Sequence, residues 1–303
     1  MNKWLGLAVA TFVAGAAFAQ QDSPGAADFV ACQKAAGDGK WDVVIASCEK
    51  ALSANGDLFA GNYYLGYAYQ AKKNNEECAA NFDTFIKKVG NNPEAADMIN
   101  RANREGGLCY AKAREPGKAI PFLQKAASNK PNDKEVQYYL GRTQMLTKNA
   151  REAERAFSKV IQLDASFALA YYYAGKINFD GQQWAPATER LQKFLELSPD
   201  HQFVPDVHFL LGFAVVQTAD ASPDAEAAKQ LAATHFEQFL AAKPTAPQSA
   251  QAHYLLGSFA ADKEDDATAK SHFEKFLQLE PNGPLADEVK AYLSDLAEAE
   301  SGN

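Results

Sequence analysis

The chain has 303 residues, 47% of them apolar and 22% charged, and its 38 acidic against 30 basic residues leave a formal charge of −8. That balance repels nucleic acid and anionic lipid head groups, so neither is an expected partner. Ala is the commonest residue and β-branched residues are sparse, which favours helix over strand. The length exceeds what one hydrophobic core usually spans.

The N-terminus reads as a removable address. Lys3 is a positive start, Leu5 to Phe18 is apolar, and Ala17-Phe18-Ala19 is a small-x-small cleavage site. Residues 1–19 are thus expected to be a signal peptide cut after Ala19, with an uncleaved anchor as the alternative. Residues 20–24 follow as a short linker. Residue 20 is Gln, so the lipid-bearing Cys of a bacterial lipoprotein is missing. No later segment looks apolar enough to cross a membrane. The expected location is exported: periplasmic, or secreted.

Four Cys in an exported chain form an even set, and disulfides are expected. Cys32 and Cys48 lie symmetrically about Lys40, in the turn Gly37-Asp38-Gly39-Lys40. Cys78 and Cys109 are symmetric about Asn91-Asn92-Pro93-Glu94. Residues equidistant from a helical turn sit level on antiparallel helices, so the pairs Cys32–Cys48 and Cys78–Cys109 are expected. Ordinary helix spacing is too wide for a bridge, so these helices must pack closely. Four buried thiols acting as small apolar residues are the alternative.

From there a pattern of period 34 runs down the chain. Gly107, Ala119 and Pro131 set it; Gly175, Ala187, Pro199 and Gly257, Ala269, Pro281 repeat it, while Gly141 and Ala153 keep the spacing before Ala165. First helices share an aromatic-x-Leu-Gly core: YYLGYAY at 63–69, YYLGRTQ at 138–144, FLLGFAV at 209–215 and YLLGSFA at 254–260. Second helices carry large apolar residues four and seven places after the first Ala, as in AERAFSKVIQL at 153–163, one face of a helix. Such a period means stacked two-helix units, each burying its apolar face on its neighbours.

These motifs resemble the tetratricopeptide repeat, in which position 8 is small, 20 is Ala, 24 and 27 are apolar and 32 is Pro. The resemblance implies an all-α, right-handed solenoid of about seven units over residues 25–284. They start near Gly25, Phe59, Asn100, Lys134, Ala168, Pro205 and Ala250. The first unit is degenerate, with Cys32 at position 8 and Val44 at position 20. Seven extra residues separate units two and three. Eight more lie inside unit six around 219–224, either lengthening its hairpin or making a projecting loop. Residues 285–303 read as a capping helix and tail, with Leu285, Val289, Tyr292, Leu293 and Leu296 on one face. A dimerisation helix is the alternative there.

No catalytic signature appears. Gly37-Asp38-Gly39-Lys40 lacks the Ser or Thr and the spacing of a phosphate loop, and Gly257-Ser258 lacks the second Gly of a nucleophile elbow. His208 and His253 share position four, and His235 and His272 share position twenty-three. Equivalent positions stand a whole unit apart, so repeat packing is the reading and no metal site is expected. No cofactor is implied.

In the family, the working surface is the concave face of the first helices. Positions five, nine and twelve form a stripe there. Here position five is Tyr63, Arg104, Tyr138, Tyr172, Phe209 and Tyr254. Position nine includes Tyr67, Arg142, Lys176 and Phe213. Position twelve includes Met145, Phe179 and Val216. Aromatics and Arg dominate binding hot spots. The resemblance therefore implies a non-catalytic scaffold that holds an envelope protein or peptide along this face. Self-association is the alternative. The Lys-x-x-x-Asn clamp with which some members grip chaperone C-termini is absent: Tyr63 and Tyr67, or Tyr138 and Arg142, stand in its place.

Overall fold

A computed structural model describes residues 23–219 and 224–301. The expected leader and cleavage point, most of the linker and the centre of the unit-six insertion lie outside those residues. Among the described residues there are fifteen α-helices, one short 3₁₀ turn and no strand. The all-helical, paired architecture expected from the period is what the structure has.

The array divides into two compact bodies, residues 1–164 and 165–303. The first holds α1 (Ala26–Gly37), α2 (Trp41–Ala54), α3 (Ala60–Ala71), α4 (Asn75–Val89), α5 (Ala96–Lys112), α6 (Pro116–Asn129), α7 (Lys134–Leu146) and α8 (Ala150–Leu163). The second holds α9 (Ala168–Asp180), α10 (Trp184–Leu197), α11 (Val204–Ala219), α12 (Ala225–Ala242), α13 (Ser249–Ala261), α14 (Asp266–Leu279) and α15 (Ala286–Ser301). Within each body every helix packs on the next. First helices also touch the first helices of adjoining repeats: α1 on α3, α3 on α5, α5 on α7, and α9 on α11.

The hairpin turns obey one rule. Gly39, Lys73, Arg114, Lys148, Gln182 and Glu264 all have φ between 57° and 71°, and all stand at position fifteen of their repeats. In each turn the amide of position sixteen donates to the carbonyl of position eleven, from Lys40 to Ala35 at 2.9 Å through Asp265 to Ala260 at 3.0 Å. A left-handed residue closed by such a bond ends a helix and satisfies its last carbonyls. The second helix then starts afresh, with Asn74 accepting from the Glu77 amide and Asp265 from that of Thr268.

Small residues at position eight admit the large residue at position twenty-four. A Cβ on Gly66 would stand 2.7 Å from Phe82, and one on Gly175 would stand 2.8 Å from Leu191. The tight partner of the small residue is thus position twenty-four. The fully buried Ala at position twenty, such as Ala187 and Ala269, lets the two backbones close up.

Both expected cysteine pairs form. Cys32 joins Cys48 within the first hairpin, with Cα atoms 5.2 Å apart, and Cys78 joins Cys109 across repeats two and three at 6.0 Å. The seven extra residues before repeat three become the 3₁₀ turn Pro93–Ala95 and an extended first helix of 17 residues starting at Ala96, ahead of the expected Asn100. The insertion in repeat six lengthens both helices, to 16 and 18 residues. At the C-terminus, α15 lays Ala286, Val289, Tyr292 and Leu293 on the core of α13 and α14, as a cap does. Among the described residues no helix is long and apolar enough to cross a membrane.

Candidate protein-binding face

The stripe residues are held by first helices, but position five turns mostly into the hairpin. In the N-terminal body Tyr63 is fully buried, its ring 5.2 Å from Phe85 and 5.9 Å from Phe82. Its hydroxyl lies 3.4 Å from that of Tyr67, and burial raises the pKa of both phenols. Tyr138 is also buried, edge-on to Phe157. Aromatic pairs of this kind stabilise the hairpin beyond the area they bury.

Arg104, the one cation in the position-five ladder, is a structural hub. It reaches Glu105 at 2.6 Å, Asp133 at 2.7 Å and Glu135 at 2.7 Å. Burial alone would lower its pKa, but the hydrogen bond it donates to Asp133 and the charge of Glu105 hold it raised. Asp133 also caps α7, so this cluster ties repeat three to the start of repeat four. Arg142 is exposed and lies 5.7 Å from the Tyr138 ring and 5.9 Å from Tyr139, within cation–π range.

In the C-terminal body Tyr172 is buried and stacks on Phe203, centroids 4.5 Å apart. Burial and the nearby Asp206 push its hydroxyl up to about 12. Phe209 is buried against Phe236 and Phe239. Tyr254 is half-buried, and its hydroxyl donates to Glu288 of the cap at 2.9 Å.

Position five therefore builds the hairpins, and positions nine and twelve carry what stays open. Phe179 and Phe213 are both half-buried, with centroids 5.7 Å apart. Trp184, from the start of α10, closes a three-ring cluster at 5.4 Å and 6.0 Å from them. Lys176, one turn before Phe179, is half-exposed and pairs with Asp180 at 3.0 Å. The stripe periodicity pointed to Phe179 and Phe213 but missed Trp184, which belongs to a second helix. It missed Phe203 as well, in the segment before α11. Among the described residues no group of three or more His, Cys, Asp or Glu converges as a metal site would.

Models described as tetratricopeptide repeat match residues 110–177, 169–201 and 250–282. No curated protein matches the chain in sequence. Among solved structures it is similar to MamA of AMB-1, with TM-score 0.52 and 18% identity over 62% of this chain and 96% of that one. A mutant of MamA is similar at TM-score 0.51 and 19% identity, covering 61% and 99%. YrrB, a TPR protein with an unusual peptide-binding site, is 24% identical, at TM-score 0.49 and covering 56% and 84%. These likenesses are of fold. The three repeat matches, with the paired helices and the glycine and alanine register, show that this chain is built of repeats of the tetratricopeptide repeat family.

Proposed function

We propose that the protein is a non-catalytic scaffold of the cell envelope that holds another protein or a peptide along its first-helix face. The observation that carries this reading is the half-buried ring cluster of Phe179, Trp184 and Phe213. Rings that pack only partly among themselves leave apolar area for a partner to cover, and such aromatic anchors supply most of the energy at protein interfaces. Lys176 and Arg142 lie on the same helical stripe in their own bodies and favour acidic groups on the partner. The signal-like N-terminus and the two cysteine pairs support an exported, oxidising compartment.

The test is site-specific photo-crosslinking in the native cell. A photoreactive residue in place of Phe213 should give a discrete adduct. One in place of Glu196, on the exposed side of α10, should give none. Adducts of equal yield from both sites, or from Glu196 alone, would overturn the reading.

A further inference from the structure

Four of the five histidines meet in two pairs that the repeat register hides. His208 of α11 faces His235 of α12, with Nδ1 atoms 3.0 Å apart, and His253 of α13 faces His272 of α14 at 2.9 Å. Each pair links positions four and twenty-three of one repeat, and the two repeats are consecutive. In both, ring centroids are 5.2 Å apart. With the nitrogens so much closer than the centroids, the rings point nearly at one another. Among the described residues no third His, Cys, Asp or Glu joins either pair as a metal site would need. One proton fits: one ring donates N–H and the other accepts.

We propose that the two pairs are single-proton fasteners of the last two hairpins, closed near neutral pH and opened by acid. One added proton leaves the bond in place, because the charged ring donates to its neutral partner. When both rings are protonated, two N–H groups face each other, two cations share the site, and the helices must part. Burial comes first in holding all four rings below their usual protonation range. The charge of the partner ring adds to it for His235 and His253, both lowered to about 4. A His with a depressed folded pKa contributes stability that is complete above its unfolded value of about 6.5. That contribution is lost as pH falls toward the folded value.

The surrounding charges do not reverse this. Lys275 of α14 disfavours a second charge at both His253 and His272. Glu237 of α12 lines the same cleft of about 490 Å³, which admits solvent to His253 and His272. Gln238 hydrogen-bonds His235, a smaller opposing effect. On α10, Lys193 and Glu196 pair with each other. On the other side of α12, Asp262 and Lys263 are taken up by Lys229 and Glu226. On α15, Glu288 is engaged by Tyr254 and Asp266 of α14 by Tyr292. The chain also contains a counterpart that does not titrate. In repeat four, position four is Gln137, which donates to the Pro131 carbonyl at 3.1 Å, and position twenty-three is Ala156.

The test is nitrogen NMR of the full chain labelled at histidine, with hydrogen exchange followed on the same protein. Near neutral pH each pair should show coupling across one N–H···N bond. From about pH 7 to about pH 4.5, opening of α11–α14, corrected for intrinsic exchange, should rise on the order of tenfold to a hundredfold. The α7–α8 hairpin should change far less. The double variant H208Q/H253Q should lose most of that difference while keeping its helix content. Rings that titrate independently near their ordinary value, no coupling across either pair, or equal acid opening of α7–α8 and α11–α14 would overturn the proposal. The NMR result decides even if the variant fails to fold.

Discussion

At Gly175 the fold rests on a missing methylene. A side chain there meets Leu191 and Arg190, so G175L should cost about 1 to 3 kcal/mol or more by overpacking. G181L should cost less, because Gly181 has φ −87° and its Cβ would meet the Ile177 and Asn178 carbonyls at 3.3 and 3.6 Å. Equal and negligible losses in chemical denaturation would contradict this register. The strain lies one residue on. Gln182 has φ 57°, and Q182G should stabilise by about 0.5 to 1 kcal/mol by relieving a left-handed conformation. A loss of stability would show that the Gln182 side chain does more than fill the turn. Tyr172 was expected to point into the groove. Buried on Phe194 and Phe203, it makes Y172A a folding mutation that should cost about 3 to 5 kcal/mol. The place of Tyr172 at position five was legible in the sequence, but the direction of its ring was not. Position five lies between core and groove, and which side wins depends on neighbours such as Phe203 that lie outside the repeat.

At the scale of helices, the N-terminal repeats replace packing with covalent bonds. Val44 at position twenty of repeat one is fully buried, and Cys78 takes that position in repeat two. Each bridge, closing 16 and 31 residues, should contribute about 3 kcal/mol or somewhat more on the chain-entropy model. Reduction should therefore lower thermal stability and expose amides of α1 to α5 first, read by hydrogen exchange with and without reductant. Free thiols in a non-reducing peptide map, or a Cys48–Cys78 link, would contradict this. The cysteine pairs were readable because symmetry about a turn survives without coordinates. The histidine pairs were not. Comparing equivalent positions across repeats separates them by a whole unit, whereas the contact joins two different positions within one repeat. The added residues in repeat six were legible as a surplus. The structure carries α11 to Ala219 and starts α12 at Ala225 behind the cap Asp224, which length alone does not resolve.

For the molecule as a whole, period and register foretold the sequence of helical hairpins, the cap and the family. The division at residue 164 into two bodies has no mark in the 34-residue pattern, because both sides of it keep the same register. The candidate face was legible as a stripe, but only part of the stripe is open, and Trp184 joins it from the second helix of its repeat. The central claim is that this open part holds a partner protein. It is tested most directly by capture of the partner identified through crosslinking at Phe213, using the double variant F179A/F213A, with E196K as control and helix content checked in each. The account predicts that F179A/F213A stays folded and binds about ten- to several-hundred-fold more weakly, the loss of one or two aromatic anchors, while E196K binds as the parent does. Undiminished binding by a folded F179A/F213A protein, with binding lost in E196K, would contradict it and move the site to the second helices.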